Sequence, residues 1–264
     1  MTETFKISLE QARAYDDVFV PALFAQWVPT LLRHAGVTAG HHVLDVACGT
    51  GVAARAALTR VGASGRVSGI DLNPAMISVA RDQAPDIDWR VGDAADLPYE
   101  DRSFDAVLCQ SALFFFPDPQ RACREMARVL RRGGRLALQT YAGLEEQPGY
   151  GPFIDTVVRH GSPHARSLLG IYWSMGDLAG LRSLLQGAGL EPTSDETMLG
   201  EVGSPSVEAF VDTEIRATPL AEHIDDASYP AIAREVRAAL AGRVSPDGSL
   251  RLPVRARFIA GTKH

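Results

Sequence analysis

The chain has 264 residues, 46% hydrophobic and 22% charged, which is the make-up of a soluble globular protein and the length of one large α/β unit. Its formal net charge of −6 argues against nucleic acid as the main partner, because such proteins carry a basic footprint. Cys48, Cys109 and Cys123 show no metal or disulfide spacing, residues 1–6 lack the layout of a signal peptide, and no run approaches the roughly 18 apolar residues of a membrane span, so a cytoplasmic setting without a membrane partner is expected.

Ser8-Leu9-Glu10-Gln11 reads as a capping box opening a short helix through Tyr15. Pro21 suits a first helical position, and Leu23, Phe24, Trp27, Val28, Leu31 and Leu32 repeat at helical spacing up to Gly36, a C-terminal stop. Pro29 inside that pattern predicts a kink or a split. His34, near the helix end, reads as a surface residue.

Val43-Leu44-Asp45-Val46 is a short apolar strand, Gly49-Thr50-Gly51 a tight turn, and Val52 to Leu58 the start of a helix. Glycine is needed where backbone turns sharply or nears a ligand. A strand, a glycine turn and a helix N-terminus aim backbone N–H groups at a nucleotide-type ligand. The G-x-G-x-x-A spacing alone also fits NAD-binding folds. Asp45 discriminates, since a carboxylate here repels a pyrophosphate but favours the ammonium and sulfonium of S-adenosylmethionine (SAM). The nine residues from Val43 to Gly51 resemble motif I of the class I SAM-dependent methyltransferases, (V/L)LD(V/L)xCGTG. That resemblance implies cofactor contacts from Asp45, Ala47, Gly49 and Gly51. It also implies an N-terminal cover over the cofactor, with Tyr15 as a candidate contact or a core aromatic.

Arg66 to Asp71 reads as the second strand. Asp71 follows Gly51 by twenty residues, where this fold places a carboxylate for both ribose hydroxyls, with Leu72 beside it. Asn73-Pro74 supply cap and first turn of a helix to about Gln83, on which Met76 touches the adenine or packs in the core. Ile87 to Asp93 is the third strand. Gly92-Asp93-Ala94 resembles the family motif whose acidic side chain meets the adenine amino group while the next N–H meets a ring nitrogen. Asp96-Leu97-Pro98-Tyr99 and Ser103-Phe104-Asp105 follow in the family's manner.

Phe104 to Gln110 is the fourth strand, the one facing the methyl group, and it brings Gln110 to the cofactor. It runs into Phe114-Phe115-Phe116, a crowding of rings in a chain with 7% aromatics. Three consecutive rings cannot all face one core, so Phe115 and Phe116 are expected to line an acceptor pocket, with core packing or a homodimer contact as the alternative. The loop lacks the Asn-Pro-Pro-Tyr of amino-methylating DNA enzymes and the acidic ligand of Mg-dependent catechol-type enzymes, so no metal is expected. Asp118-Pro119 caps a helix from Gln120 to Leu130. Arg121, Arg124, Arg128, Arg131, Arg132 and Arg135 read as its solvated face and a basic C-terminus. Leu136 to Tyr141 is the fifth strand. Glu125 to Leu136, E-M-x-R-V-L-x-x-G-G-R-L, closely resembles the Methyltransf_11-like branch that includes the ubiquinone and menaquinone C-methyltransferases.

Residues 143–173 leave this pattern and read as a lid, with Tyr172 and Trp173 as candidate substrate contacts. Ser174 to Asp177 resembles a capping box for a helix through Leu185, closed by Gly187 and Gly189, and Leu190 to Val202 is the sixth strand. Residues 204–242 hold two amphipathic helices, around Val207, Phe210, Val211 and Ile215, then around Ile232, Val236 and Leu240. Val254 to Ala260 alternates as a final antiparallel strand.

The fold expected is α/β, a Rossmann-like seven-stranded, mostly parallel sheet with an antiparallel last strand, helices on both faces and a helical lid. Its parts are a helical cover (1–40), a SAM-binding core (41–142), a lid insertion (143–174), a core helix with strand six (175–203), a second lid insertion (204–245) and the final strand (246–264). The function expected is metal-independent methyl transfer from SAM to a small apolar or aromatic metabolite, at O, N or C. Positioning drives such a displacement, and a base is needed only if the acceptor loses a proton. Tyr141, His160 and His164, with Tyr172 and His223, are the candidates for that role. The alternatives are a regulatory SAM-binding module and an NAD-dependent oxidoreductase.

Overall fold

The computed structural model describes residues 7–147, 149–160, 165–216 and 223–264. Its strands are β1 (His42–Val46), β2 (Arg66–Asp71), β3 (Asp88–Val91), β4 (Phe104–Gln110), β5 (Leu130–Tyr141), β6 (Leu190–Ser204) and β7 (Leu250–Lys263). They form one seven-stranded sheet in the order β3-β2-β1-β4-β5-β7-β6. The first five strands are parallel, with Asp45 in register with Gly69 of β2 and Leu108 of β4. Val43, Leu44 and Val46 are fully buried, as a central parallel strand covered on both faces requires. Rising numbers on β6 meet falling numbers on β7: Thr193 bonds the Ala260 carbonyl and Arg257 bonds Thr197. The last strands are therefore antiparallel, and the expected Rossmann-like sheet is the one observed.

The chain divides into two compact units. Unit 1 comprises Met1–Thr140, Asp177–Thr197 and Arg257–His264, and unit 2 comprises Tyr141–Gly176 and Met198–Ala256. In unit 1 the helices are α1 (Leu9–Ala14), α2 (Val28–His34), α3 (Val52–Val61), α4 (Pro74–Gln83), α5 (Pro119–Val129) and α8 (Leu178–Gly187); in unit 2 they are α6 (Tyr150–His160), α7 (Ala165–Gly170), α9 (Val207–Arg216) and α10 (Tyr229–Ala239). No helix among the described residues is long and apolar enough to cross a membrane.

The capping box at Ser8 forms as expected, with Gln11 N–H on the Ser8 hydroxyl and Ser8 N–H on the Gln11 amide oxygen. Pro21 is not at a first helical position but lies inside a π-helical stretch, Tyr15–Phe24. Pro29 marks the expected split: a 3-10 turn, Ala25–Trp27, precedes it, and it falls in the first turn of α2, where a missing N–H costs nothing. His34 is not a surface residue. It is buried, stacks 5.9 Å from the Phe258 ring, and bonds Ser194 at 2.8 Å and Glu196 at 3.2 Å. β6 and β7, remote in sequence, cover it. α8 starts later than the box at Ser174 implies, because Asp177 itself caps Ala179 and Gly180 N–H. β5 begins at Leu130 rather than Leu136, with a register shift opposite Phe104 and Ala106 and Gly133 at φ +78°. Lys263 then reaches back to the Ala127, Arg128 and Leu130 carbonyls and caps the end of α5.

Unit 2 buries Phe153, Ile154 and Val157 of α6, Phe210, Val211 and Ile215 of α9, and Ile232 and Val236 of α10. The two amphipathic patterns read in the sequence are α9 and α10.

Candidate active site

The turn after β1 is built by backbone demands that few residues meet. Gly49 and Gly51 have φ +54° and +91°, and Ala47, though not glycine, stands at +55°. A Cβ on Gly51 would lie 2.3 Å from the Trp89 ring, and one on Gly69 would lie equally close to it. The indole thus presses the turn from the β3 side. Gly51 N–H closes the turn on the Cys48 carbonyl at 2.8 Å, and α3 starts at once.

Asp45 is almost wholly buried beneath this turn and accepts the Ala54 N–H of α3 at 2.9 Å. Burial pushes its pKa up to about 7, against the lowering by that hydrogen bond; the nearby Asp71 adds to the rise. Asp71 accepts the Gly49 N–H on one oxygen and the Asn73 N–H on the other, both at 2.8 Å. Burial raises its pKa as well. Asn73, not Asp71, caps α4 through Ala75 and Met76.

A pocket opens above these groups, lined by Tyr15, Phe24, Asp45, Ala47, Cys48, Gly49, Val52, Ala53 and Gln110. Gln110 donates its amide N–H to the Phe24 carbonyl at 2.8 Å, while its buried Oε1 has no hydrogen-bond partner. A buried orphan acceptor calls for a donor from a ligand. Asp45 and Gln110 together make the pocket acceptor-rich and anionic, which fits the ammonium of an amino-acid-bearing cofactor and repels phosphate. Arg55 ties the covering stretch to the turn, donating to the Thr50 carbonyl at 2.5 Å and pairing with Asp16 at 3.4 Å.

Of the cofactor residues read from the sequence, Tyr15, Asp45, Ala47, Gly49 and Gln110 meet in this lining, and Asp71 joins it through Gly49. Gly51 stands behind it against Trp89. Met76 is buried with Ala12 and Val79, and Tyr15 packs on that cluster. Leu72 and Asp93 are exposed; one Asp93 oxygen takes the Ala95 N–H at 2.8 Å, and Ala94 is half-buried between them. Phe24, Cys48, Val52 and Ala53 were not singled out from the sequence. The first belongs to the π-helical stretch, which carries no simple periodicity, and the others follow from the motif's position.

The three phenylalanines divide as sequence logic requires. Phe114 is buried, Phe115 keeps 37% of its surface and meets Phe114 edge-on at 4.6 Å, and Phe116 is half-buried. In unit 2, Tyr141 is buried against Trp173, with ring centroids 5.5 Å apart. His160 bonds Glu235 of α10 at 2.6 Å, beside the Arg159 ion pair to the same carboxylate, so it fastens two helices. His164 lies outside the described residues, and His223 is exposed.

Residues 44–138 match the Methyltransf_11 family model, described as a methyltransferase domain. The chain is 35% identical over 164 residues to the demethylmenaquinone methyltransferase of Tropheryma whipplei, covering 60% of this chain and 66% of that protein. It is 37% identical over 118 residues to the 2-phytyl-1,4-naphtoquinone methyltransferase of Synechococcus elongatus, covering 42% of this chain and 51% of that one. The match therefore spans about half to two-thirds of the length of these curated relatives. A solved Bacillus halodurans protein, 20% identical, shares the fold with a TM-score of 0.63 over 89% of this chain and 98% of its own.

Proposed function

The chain belongs to the class I SAM-dependent methyltransferases through the domain at residues 44–138, and on that premise we propose that it methylates a small, quinone-type aromatic acceptor without a metal. SAM supplies a methyl group on a positively charged sulfur, which leaves to the protein the tasks of binding, orienting and excluding water. The unpartnered, buried Oε1 of Gln110 carries this reading, together with the Asp45 carboxylate in the same pocket. Both suit the cofactor's ammonium. Asp71, at the end of β2, suits the ribose diol. Tyr15 and Phe24, their rings 5.3 Å apart, close the covering stretch over the pocket.

The quinone-type acceptor is supported by the names of the relatives and by the half-exposed Phe115, a flat apolar surface for an aromatic ring. Metal independence is supported by the donor set: among the described residues no three His, Cys, Asp or Glu side chains gather where they would hold an ion. The same reading sets the protein in the cytoplasm, in keeping with three buried free thiols. The test is turnover. S-adenosylhomocysteine should form from SAM and 1,4-dihydroxynaphthalene, with activity unchanged by EDTA. Calorimetry with SAM and with NADH should show binding of the first alone. SAM binding without turnover of any aromatic acceptor would favour a regulatory module, and activity restored by Mg²⁺ after EDTA would remove the metal-free claim.

A further inference from the structure

β4 ends at Gln110, and the residue after it, Ser111, has a left-handed φ of +51°. That backbone is costly for any residue with a Cβ. Among the described residues other than glycine, only Ala47 and Arg102 share it, Ala47 in the lining of the pocket and Arg102 in an exposed turn. Such a conformation persists only where the surroundings enforce it. At Ser111 the enforcement comes from Gln139 of β5, the ladder partner of Gln110. The Ser111 N–H donates to the Gln139 carbonyl at 2.9 Å, and the Ser111 hydroxyl donates to the Gln139 amide oxygen at 2.5 Å. All three residues belong to unit 1.

A glutamine inside a parallel sheet is unfavourable unless its amide is bonded at both ends. Gln139 is fully buried, and two partners orient its amide: Nε2 donates to the Thr140 carbonyl at 2.8 Å, and Oε1 accepts from Ser111. A flipped amide would set oxygen against the Thr140 carbonyl, so the oxygen faces Ser111. An apolar side chain would fill this place with none of these demands. The use of the amide therefore lies with Ser111, and the use of Ser111 lies with the residue before it. Gln110 carries its unpartnered Oε1 at the pocket, while its Nε2 is engaged by the Phe24 carbonyl. The bend at Ser111 fixes how the chain leaves β4, and with it the backbone from which the Gln110 side chain is aimed. Gln139 itself does not line the pocket.

Resting on the methyltransferase reading, we infer that Gln139 is a positioning residue for the cofactor: through the Ser111 hydroxyl it holds the bend that aims Gln110 at SAM. Without that bond Ser111 relaxes towards an ordinary negative φ, and SAM must restore the bend as it binds. Apparent affinity then falls with the fraction of molecules already bent. A fraction of about one in ten gives binding about ten-fold weaker. Glycine at this position takes the same φ without a Cβ, and needs no hydroxyl to hold it there. Serine makes the bend depend on Gln139, and glycine frees it from that dependence.

The experiment uses the full chain, with calorimetry of SAM binding alongside thermal unfolding. Gln139→Met keeps the volume and removes the amide, and Ser111→Ala removes the hydroxyl. Each should weaken SAM binding about ten-fold. Ser111→Gly should bind SAM several-fold more tightly than Ser111→Ala. The double variant Gln139→Met/Ser111→Gly should recover most of the affinity lost in Gln139→Met. Its melting temperature should stay below that of the wild type, because the Thr140 carbonyl has still lost that donor. Binding that recovers while stability does not is a result that a purely structural glutamine would not give. If Gln139→Met does not fold, the order of Ser111→Ala and Ser111→Gly decides. Three results each overturn the inference: wild-type affinity in Ser111→Ala, equal affinity in Ser111→Ala and Ser111→Gly, or a double variant that binds no better than Gln139→Met. A wild type that does not bind SAM overturns the methyltransferase reading itself.

Discussion

Unit 1 and unit 2 each hold a carboxyl group that burial lifts to about 7, and they support it by opposite means. Asp45 is held by main chain. Its bond comes from the Ala54 N–H at the start of α3, and its neighbour Asp71 is tied to the Gly49 and Asn73 N–H groups. Glu214 is held by a side chain, the Tyr150 hydroxyl, and by the rings that fix Tyr150 in place. A site made of main chain depends on a few adjacent residues with strict conformational needs. A site made of side chains depends on packing between helices far apart in the chain.

The largest effects should come from removing what each site leans on. Phe210→Ala takes a ring from the core of unit 2 and should cost about 3–5 kcal/mol in denaturant unfolding. Gly51→Ala combines a left-handed φ with a methyl group driven into Trp89, and should cost about 2–5 kcal/mol. SAM binding should vanish in Gly51→Ala and survive in folded Phe210→Ala. Full SAM affinity in folded Gly51→Ala would remove the turn from the cofactor site.

That contrast also explains what the chain disclosed. The motif I strand, turn and helix, the Asn73-Pro74 and Asp118-Pro119 caps and the succession of the first four strands along the chain follow from local chemistry, and they stand where the sequence sets them. Trp89 over the turn was not read, although Gly69 in the middle of β2 signals a close approach. His34 was misread because the strands that cover it lie about 160 residues on. The Tyr150–Glu214 pair escaped for a similar reason, since 64 residues separate its members. One signal was present: Glu214 interrupts an apolar stripe at the spacing where a helix of this pattern places a buried residue.

Asp71→Ala sharpens the main-chain half of the comparison. Removing a carboxylate that accepts hydrogen bonds should weaken SAM binding by about 1.5–3 kcal/mol, roughly ten- to a hundred-fold. Methylation of the acceptor at saturating SAM should change little. Unchanged SAM affinity in a folded variant would remove Asp71 from the site.

The pH response separates the two carboxyl groups at a smaller scale. If Asp45 meets the cofactor's ammonium, as proposed, it does so ionised, and burial pushes its pKa up to about 7. SAM should therefore bind about ten-fold more tightly at pH 8 than at pH 6, near 1.4 kcal/mol, releasing a proton measurable in buffers of different ionisation heat. Stability runs the other way. A folded pKa above the unfolded one gives stability that is full at low pH and is lost as pH rises through about 7. Glu214→Gln should leave the pH dependence of SAM binding intact, and Asp45→Asn should erase it. A dependence that follows Glu214 instead would reverse the assignment of the two groups.

The smallest effect on stability belongs to Phe115, and it tests whether unit 1 adds a side-chain surface to its main-chain site. Phe115 keeps 37% of its surface open and meets Phe114 edge-on. An aromatic pair of that kind is worth about 0.5–1.5 kcal/mol beyond area burial, so Phe115→Ala should cost about 1 kcal/mol. The buried Phe114 should cost about 3–5 kcal/mol when cut to alanine, which supplies the internal reference. If the exposed ring stacks on the acceptor, Phe115→Ala raises the acceptor KM several-fold while SAM affinity and the pH profile of kcat stay as in the wild type. Stability loss equal to that of Phe114→Ala, with KM unmoved, would return Phe115 to the core.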